Sequence, residues 1–141
     1  MDDKERFKQG MTVRREVLGD AWVDRAQAKG NSFTADFQDF ITRYAWGEVW
    51  SRPGLDRRSR SLMTLAMMIA LGRWDEFRLH VRAALNNGLS VDEIKEVIMH
   101  SAVYAGLPAA NSAFAEAVEV FKVCGINVDA NDAAGAPPTG G

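Results

Sequence analysis

The chain has 141 residues, of which 47% are hydrophobic and 26% charged, a composition typical of one globular domain rather than a disordered chain. Its formal net charge of −2 argues against nucleic acid as a partner, because phosphate binding needs a basic surface. The single cysteine, Cys124, excludes an intrachain disulfide and a CxxC redox pair. The longest apolar stretch, residues 62–71, is about half of the ~20 residues that span a bilayer. The N-terminus does not resemble a signal peptide, so we expect a soluble, cytoplasmic protein that has no membrane partner.

The N-terminal part of the sequence predicts two long helical segments. Residues from Asp2 to about Lys29 predict one helix, or two helices with a break near Gly19. NSFT, residues 31–34, offers N-cap side chains for a segment that runs to about Trp50, where SRPG turns the chain.

The remaining helices are predicted from their end signals. Their starts are placed at an N-cap Asp56, an N-cap Asp75, a capping box of Ser90 and Glu93, and a first-turn Pro108. Their ends are placed at Gly72, at a left-handed Gly88 and before Gly125. The last two helices each carry one apolar stripe, as helices of a bundle do, and no useful stretch alternates like a strand. The sequence therefore predicts an all-α bundle of about six helices in one domain, residues 1–126, followed by a disordered tail, residues 127–141.

The helix that contains LMTLAMMIAL, residues 62–71, is apolar nearly all round. Such a helix must be buried on several sides, and a monomer of this size offers limited cover. The pattern favours a homo-oligomer that shares the burial of this helix. The alternative is a central helix wrapped entirely by its own chain.

A carboxylate continues an aromatic stripe in the second segment. Phe37, Ile41 and Tyr44 follow a helical spacing whose next position is Glu48. A buried carboxylate is costly unless it is paired or hydrogen-bonded. Glu48 is therefore a candidate pocket carboxylate beside Tyr44, and the alternative is that the helix ends there and Glu48 faces water.

Arginines cluster in RPGLDRRSR, where Arg52, Arg57, Arg58 and Arg60 lie within nine residues. Three of them stand at a helix start, where the helix dipole favours acidic residues instead. Their placement points to an anionic ligand, such as a carboxylate held by two hydrogen bonds. The alternative is a solvated face whose arginines pair with acidic neighbours.

The two histidines occupy different positions. His80 borders the apolar stripe of RWDEFRLHVRAALNNG, so it is a structural residue, a metal ligand or a proton-transfer residue. No HExxH or HxH pattern accompanies it, which disfavours a metal site. His100 lies off the main stripe of its helix, four residues after Glu96 and four before Tyr104, and belongs either to a surface network or to a second pocket wall. The sequence contains no glycine-rich phosphate loop and no serine nucleophile elbow.

Residues 55–121 resemble the carboxymuconolactone decarboxylase family through LDRRSRSL, the apolar helix, LHVRAALNNG, DEIKEV and AVYAGLPAANSAF. VRREVLGDAWVDRA and the stretch from FTADF to GLDRR extend the resemblance to nearly the whole chain before the tail. The family includes thiol-dependent reductases of the alkylhydroperoxidase D type, but Arg73 and Glu76 stand where these carry their cysteines. Because that chemistry needs a thiolate, the resemblance points to the decarboxylase branch.

The resemblance implies an alkylhydroperoxidase D-like helical fold, a homo-oligomer of hexamer size, and an enzyme of protocatechuate catabolism. The implied reaction is the decarboxylation of 4-carboxymuconolactone, a small dicarboxylate lactone, to 3-oxoadipate enol-lactone, with no metal or other cofactor. His80 matches the shared histidine and is the candidate proton donor, and Glu48 would orient it or relay the proton. Arg57 or Arg58 would bind the remaining carboxylate, and Tyr44 would donate to the lactone oxygen. The alternatives are a decarboxylase or isomerase of another lactone or keto acid, a non-catalytic oligomer that binds small anions, and a structural scaffold.

Overall fold

Seven α-helices and one π-helical segment, with no strand, form residues 1–129, the part of the chain that the computed structural model describes. The helices are α1 Asp3–Leu18, α2 Asp20–Ala28, α3 Ala35–Ile41, α4 Arg57–Leu71, α5 Trp74–Asn86, α6 Val91–Ala105 and α7 Leu107–Val123, with the π-helical segment Thr42–Val49 directly after α3. The all-α prediction is confirmed. The count exceeds six because the chain breaks at Gly19, whose φ of +91° ends α1 and starts α2. No helix in residues 1–129 is both long enough and apolar enough to cross a membrane.

Most predicted helix ends are confirmed. Asp56 accepts a hydrogen bond from the backbone nitrogen of Ser59 at 2.7 Å, and the capping box of Ser90 and Glu93 is present in both directions. Gly88 has a φ of +93°, the left-handed conformation that glycine adopts without strain.

The predicted cap at Asp75 is wrong. Helix α5 begins at Trp74 with Arg73 in the N-cap position, and Arg73 makes no side-chain capping bond. Asp75 lies one position inside the helix and pairs with Arg78. An acidic residue is favourable throughout the first turn because of the helix dipole, so this signal located the helix start only approximately.

Two hydrophobic cores hold the helices together. The larger core joins α4 to α7 and contains thirteen buried hydrophobic residues, among them Leu65, Phe77 and Val81. Ser61 of α4 and Ser101 of α6 are buried polar residues of the same helices. The smaller core joins α1 and α2 to the π-helical segment and α5, and it includes Val17, Val23 and Trp46.

Residues Ile126 and Val128 also pack against the larger core. The predicted tail, residues 127–141, thus begins in contact with the domain, because Val128 packs on the core. Residues 130–141 of that tail lie outside the described range.

Helix α1 lies unusually close to the π-helical segment. A Cβ atom added to Gly10 would lie 1.9 Å from the carbonyl oxygen of Thr42, and one added to Gly47 would lie 2.4 Å from that of Arg6. Neither position therefore has room for a side chain. These two glycines let the two backbones touch, so α1 and the π-helical segment pack against each other without intervening side chains at these positions.

Helix α4 is covered on one side only within the described chain. Ser61, Leu65 and Ile69 are buried, whereas Met67 and Leu71 are 57% and 67% exposed. Residues 1–129 therefore do not wrap this helix on all sides, as the alternative of a central helix would require. The exposed side of α4 borders a cleft of about 550 Å³ whose opposite wall is α6.

Candidate active site

His80 lies where α5 meets the end of the π-helical segment. Its ring stacks on Trp50, with ring centroids 6.3 Å apart and an angle of 16° between the planes. Trp50 in turn stacks on Trp46 at 5.1 Å. We call the group of Trp46, Trp50, Glu76 and His80 the His80 corner. Two tryptophans thus place a titratable ring in an apolar environment.

Burial lowers the pKa of His80 from its usual value near 6.5 to about 4, and the nearby charge of Glu76 opposes this shift only in part. In the isolated chain the imidazole is therefore neutral at pH 7. Its Nδ1 atom is buried and has no hydrogen-bond partner within residues 1–129. An unsatisfied buried nitrogen is not typical of a purely structural histidine, because such a group carries a desolvation penalty. The role of His80 in proton transfer stays a prediction.

Glu48 and Tyr44 form a neighbouring cluster with arginines. Glu48 lies 3.5 Å from Nε of Arg6 and 3.7 Å from a terminal nitrogen of Arg52. The Tyr44 ring lies 5.4 Å from the guanidinium carbons of both Arg6 and Arg43. Within residues 1–129, no hydrogen bond or ion pair joins Glu48 to His80. The link between them is Trp50, which follows Glu48 by two positions and contacts His80.

The aromatic stripe that led to Glu48 does not form a buried face. Phe37 and Tyr44 are exposed, and so is Glu48. Helix α3, which contains Phe37, has no buried residue. Beyond Thr42 the segment is π-helical, and because a π-turn contains one more residue than an α-turn, the 3.6-residue spacing does not carry over to Glu48. The alternative interpretation, in which Glu48 faces water, describes its exposure in the single chain.

The clustered arginines Arg57 and Arg58 contact different partners. Arg57 lies 3.5 Å from Glu16 of α1. Arg58 donates to the carbonyl oxygen of Gly88 and to the carboxylate of Glu93. The capping bond from Ser90 and the contact with Arg58 lower the pKa of the Glu93 carboxyl. Arg58 is thus already engaged by α6, while Arg57 has one longer ion pair and is the freer of the two.

His100 lines the 550 Å³ cleft between α4 and α6 and lies 5.2 Å from the Tyr104 ring, measured between ring centroids. The sequence allowed His100 to belong either to a surface network or to a pocket wall. In the structure His100 does both, because it lines the cleft and contacts Tyr104 on the same helix. In residues 1–129, no three His, Cys, Asp or Glu side chains lie close enough to hold a metal ion.

Three residues of these clusters were missed by the sequence patterns. Trp50 contacts His80, Arg6 pairs with Glu48, and Arg14 is a buried cation of α1. The first two contacts join residues that are distant in sequence, so no local spacing could reveal them. Arg14 did leave a signal, because it falls on the buried face of α1 that Gly10 and Val17 define.

Comparison with known proteins gives concordant results. A profile of the Carboxymuconolactone decarboxylase family matches residues 35–119. The chain is 58% identical over 126 residues to a 4-carboxymuconolactone decarboxylase of Acinetobacter baylyi, covering 89% of this chain and 94% of that protein. It is also 48% identical over 103 residues to a nitrosuccinic acid decarboxylase of Metarhizium robertsii, covering 73% of this chain and 72% of that protein.

Proposed function

The chain belongs to the carboxymuconolactone decarboxylase family, and on that premise we propose that it converts 4-carboxymuconolactone to 3-oxoadipate enol-lactone and CO2 in protocatechuate catabolism. The observation that carries this proposal is the 58% identity, over 89% of the chain, to a decarboxylase named for that substrate. We assign the activity to a cytoplasmic enzyme whose catalytic domain is residues 1–126.

The substrate supplies its own electron sink. Loss of CO2 from the quaternary ring carbon moves the bonding electrons through the ring double bond onto the lactone carbonyl, which gives a dienolate. Protonation of the ring carbon next to that carbonyl then yields the enol-lactone. Because the conjugated carbonyl accepts the electrons, the reaction needs no metal, pyridoxal phosphate or thiamine. The protein has to hold the substrate, stabilise the developing oxyanion and supply one proton.

We assign the proton transfer to His80. The ring is neutral at pH 7 in the free chain because burial lowers its pKa to about 4. A bound dicarboxylate favours the imidazolium, since nearby negative charge raises the pKa of histidine. Substrate binding would thus favour the charged form of His80 before CO2 is lost, so that the imidazolium is in place when the dienolate forms. General acid catalysis of this kind contributes roughly 10²–10⁴-fold in rate.

The other site residues divide between holding the substrate and tuning His80. Arg57 is the better candidate for the remaining carboxylate, because Arg58 already binds Glu93 and the Gly88 carbonyl. Tyr44 would donate to the lactone oxygen, where a hydrogen bond becomes stronger as the oxyanion develops. Glu48 would act on His80 through the position of Trp50, which contacts the imidazole.

We further propose that the enzyme is a homo-oligomer, a hexamer with the alkylhydroperoxidase D-like fold. Large apolar side chains are exposed on α4 and α6, namely Leu62, Met63, Met67, Met99, Val103 and Tyr104. A second exposed group, Phe33, Phe37 and Phe40, lies on and just before α3. Exposed apolar patches of this kind mark interaction sites, and a closed hexamer built from dimers or trimers uses two kinds of contact.

The activity is tested by generating carboxymuconolactone with a cycloisomerase and following CO2 release and ultraviolet absorbance, with chelator present. We expect release well above the spontaneous rate and unaffected by the chelator. His80→Gln should lower kcat by about 10²–10⁴-fold, whereas His100→Gln, the matched control, should retain near-normal turnover. Release at the spontaneous rate would reject the function, and normal turnover by His80→Gln would remove His80 from the mechanism.

The similarity to a nitrosuccinic acid decarboxylase supplies a second candidate substrate. Both named substrates are small acids, so the same preparation should be assayed with each of them. A kcat/KM higher for nitrosuccinic acid than for carboxymuconolactone would reverse the order of the two candidates.

Assembly is tested by sedimentation equilibrium on the full chain. We expect a mass near six times 15.6 kDa, and we expect Met67→Lys, which places a charge on the exposed side of α4, to lower it. A monomer at micromolar concentration would contradict the proposed assembly without bearing on the reaction.

A further inference from the structure

A second cleft, of about 440 Å³, lies between α1, the end of α2 and α3. Its volume falls in the range of small-molecule sites. Phe7 and Met11 of α1 supply apolar lining, and Gln27 and Gln38 supply neutral polar groups. None of the residues assigned above to the decarboxylation lines this cleft.

One cation, Arg14, is almost completely buried in the wall of this cleft. Only 4% of the residue is exposed. Its two terminal nitrogens donate to Oγ1 of Thr42 at 3.1 Å and to Oε1 of Gln38 at 3.0 Å. Both acceptors are neutral, and no carboxylate in residues 1–129 forms an ion pair with Arg14. Burial, together with the adjacent charge of Arg15, lowers the pKa of Arg14, although a guanidinium stays protonated in proteins.

Hydrogen-bond donors at the cleft remain unused. Nε of Arg14 is buried without a partner, and the amide nitrogen of Gln38 donates to no atom of residues 1–129. Thr42 cannot help as a donor, because its hydroxyl already donates to the carbonyl oxygen of Gln38 at 2.8 Å. Asp39 is the one acidic residue in the lining, and it is paired with Arg43 at 3.2 Å. The site is thus rich in donors and lacks a free anion.

A buried charge without a counter-charge is unfavourable for folding. The ring of Trp22, whose centroid lies 5.7 Å from the guanidinium carbon of Arg14, compensates in part through a cation–π contact. An anion bound in the cleft would supply the missing counter-charge. Carboxylates suit a guanidinium best, because two parallel hydrogen bonds can form.

We propose that this cleft binds a small organic carboxylate, whose charged end pairs with Arg14 beside Gln38 and whose apolar part lies against Phe7 and Met11. This binding site goes beyond the proposed decarboxylation and does not depend on it. The acid binds away from the residues assigned to that reaction and is not converted by the protein.

Calorimetric titration of the full chain with hexanoate tests the proposal. Hexanamide, which has the same shape without the charge, is the ligand control. Arg14→Met removes the buried cation, and Arg25→Met is the matched variant, since Arg25 is an exposed arginine of α2 that does not line the cleft. We expect hexanoate to bind wild type and Arg25→Met alike, and to bind Arg14→Met about 10- to 100-fold more weakly, as expected for loss of charge-assisted hydrogen bonds. Hexanamide should bind wild type at least about tenfold more weakly than hexanoate.

A second variant keeps the test decisive if Arg14→Met fails to fold. Gln38→Glu places a carboxylate beside Arg14, so it should raise the unfolding midpoint and prevent hexanoate binding. The proposal is overturned if wild type binds no hexanoate at millimolar concentration, if hexanamide binds equally well, or if Arg14→Met or Gln38→Glu binds hexanoate as wild type does.

Discussion

The two halves of the molecule are built differently. Helices α4 to α7 surround the larger hydrophobic core, and the buried polar residues on them are two small serines, Ser61 and Ser101. The ends of these helices carry strong local signals such as the Ser90 capping box. The N-terminal half has a smaller core and combines it with a buried arginine, a π-helical segment and a glycine contact too tight for any side chain. We call helices α4 to α7 the regular half and the N-terminal part of the molecule the irregular half. His80 belongs to the regular half, and its ring contacts Trp50 of the irregular half. The difference indicates that the C-terminal half supplies stability, while the N-terminal half shapes the surroundings of the candidate site.

Truncating a large side chain of the larger core should have the greatest effect on the free energy of unfolding. Phe77 is fully buried there, so Phe77→Ala should lower the free energy of unfolding by about 3–5 kcal/mol through lost burial and a residual cavity. Phe77→Leu keeps most of the volume and should lower it by less than about 1.5 kcal/mol. Urea denaturation at fixed protein concentration measures both. Equal effects of the two variants would show that this core is not tightly packed.

Acidification should act on the boundary between the halves. The pKa of His80 is about 4 in the folded chain and near 6.5 when unfolded, so the unfolded state binds more protons between these values. Stability should therefore rise with pH across this window and be lost as pH falls from about 6.5 to about 4, by at most about 3 kcal/mol. Comparing urea denaturation of wild type and His80→Gln at pH 4.5 and pH 7 isolates this contribution. The same pH dependence in both proteins would contradict the burial of a neutral imidazole.

The glycine contact tests whether the irregular half depends on close backbone approach. Gly10→Ala should destabilise the fold by about 1–3 kcal/mol, because the added Cβ would meet the Thr42 carbonyl and force α1 away from the π-helical segment. Gly54→Ala is the control, since no atom lies within 4 Å of its Cβ position. Thermal unfolding of both variants provides the measurement. A Gly10→Ala protein as stable as Gly54→Ala would show that the two elements separate freely.

The helix caps of the regular half should give the smallest effect. Ser90→Ala removes the oxygen that accepts from the Glu93 backbone nitrogen at 3.1 Å, and it should lower stability by about 1 kcal/mol. Ser90→Asp retains a capping oxygen and should stay close to wild type. Denaturant midpoints distinguish the two variants, and an unchanged midpoint for Ser90→Ala would mean that the capping box adds nothing to the stability of α6.

The sequence predicted the regular half well because its signals are local. Caps at Asp56 and Ser90 act within three residues, and the apolar stripe of RWDEFRLHVRAALNNG includes Phe77 and Val81, which are buried in the core. The predicted cap at Asp75 lies two positions after the observed N-cap, Arg73, because an acidic residue is favourable both as a cap and in the first turn.

The candidate site was predictable only in part. His80 stood out as a histidine beside a buried stripe, but its lowered pKa and its contact with Trp50 come from packing between elements distant in sequence. The interpretation of Glu48 relied on an α-helical period that ends at Thr42. The π-helical segment contacts α1 through Gly10 and Gly47, which are distant in sequence, and no spacing within residues 42–49 predicted either the contact or the change of helix type.

The π-helical segment also makes the chain sensitive to insertions and deletions at one place. A π-turn closes its hydrogen bond over five residues and an α-turn over four, so the eight residues Thr42–Val49 set the direction of Trp50 by their number as well as by their chemistry. Losing one residue would let the segment tighten to an α-helix and turn Trp50 by about 100° around the axis. Relatives that differ in length here should therefore have a reshaped His80 corner, even where every side chain of that corner is retained.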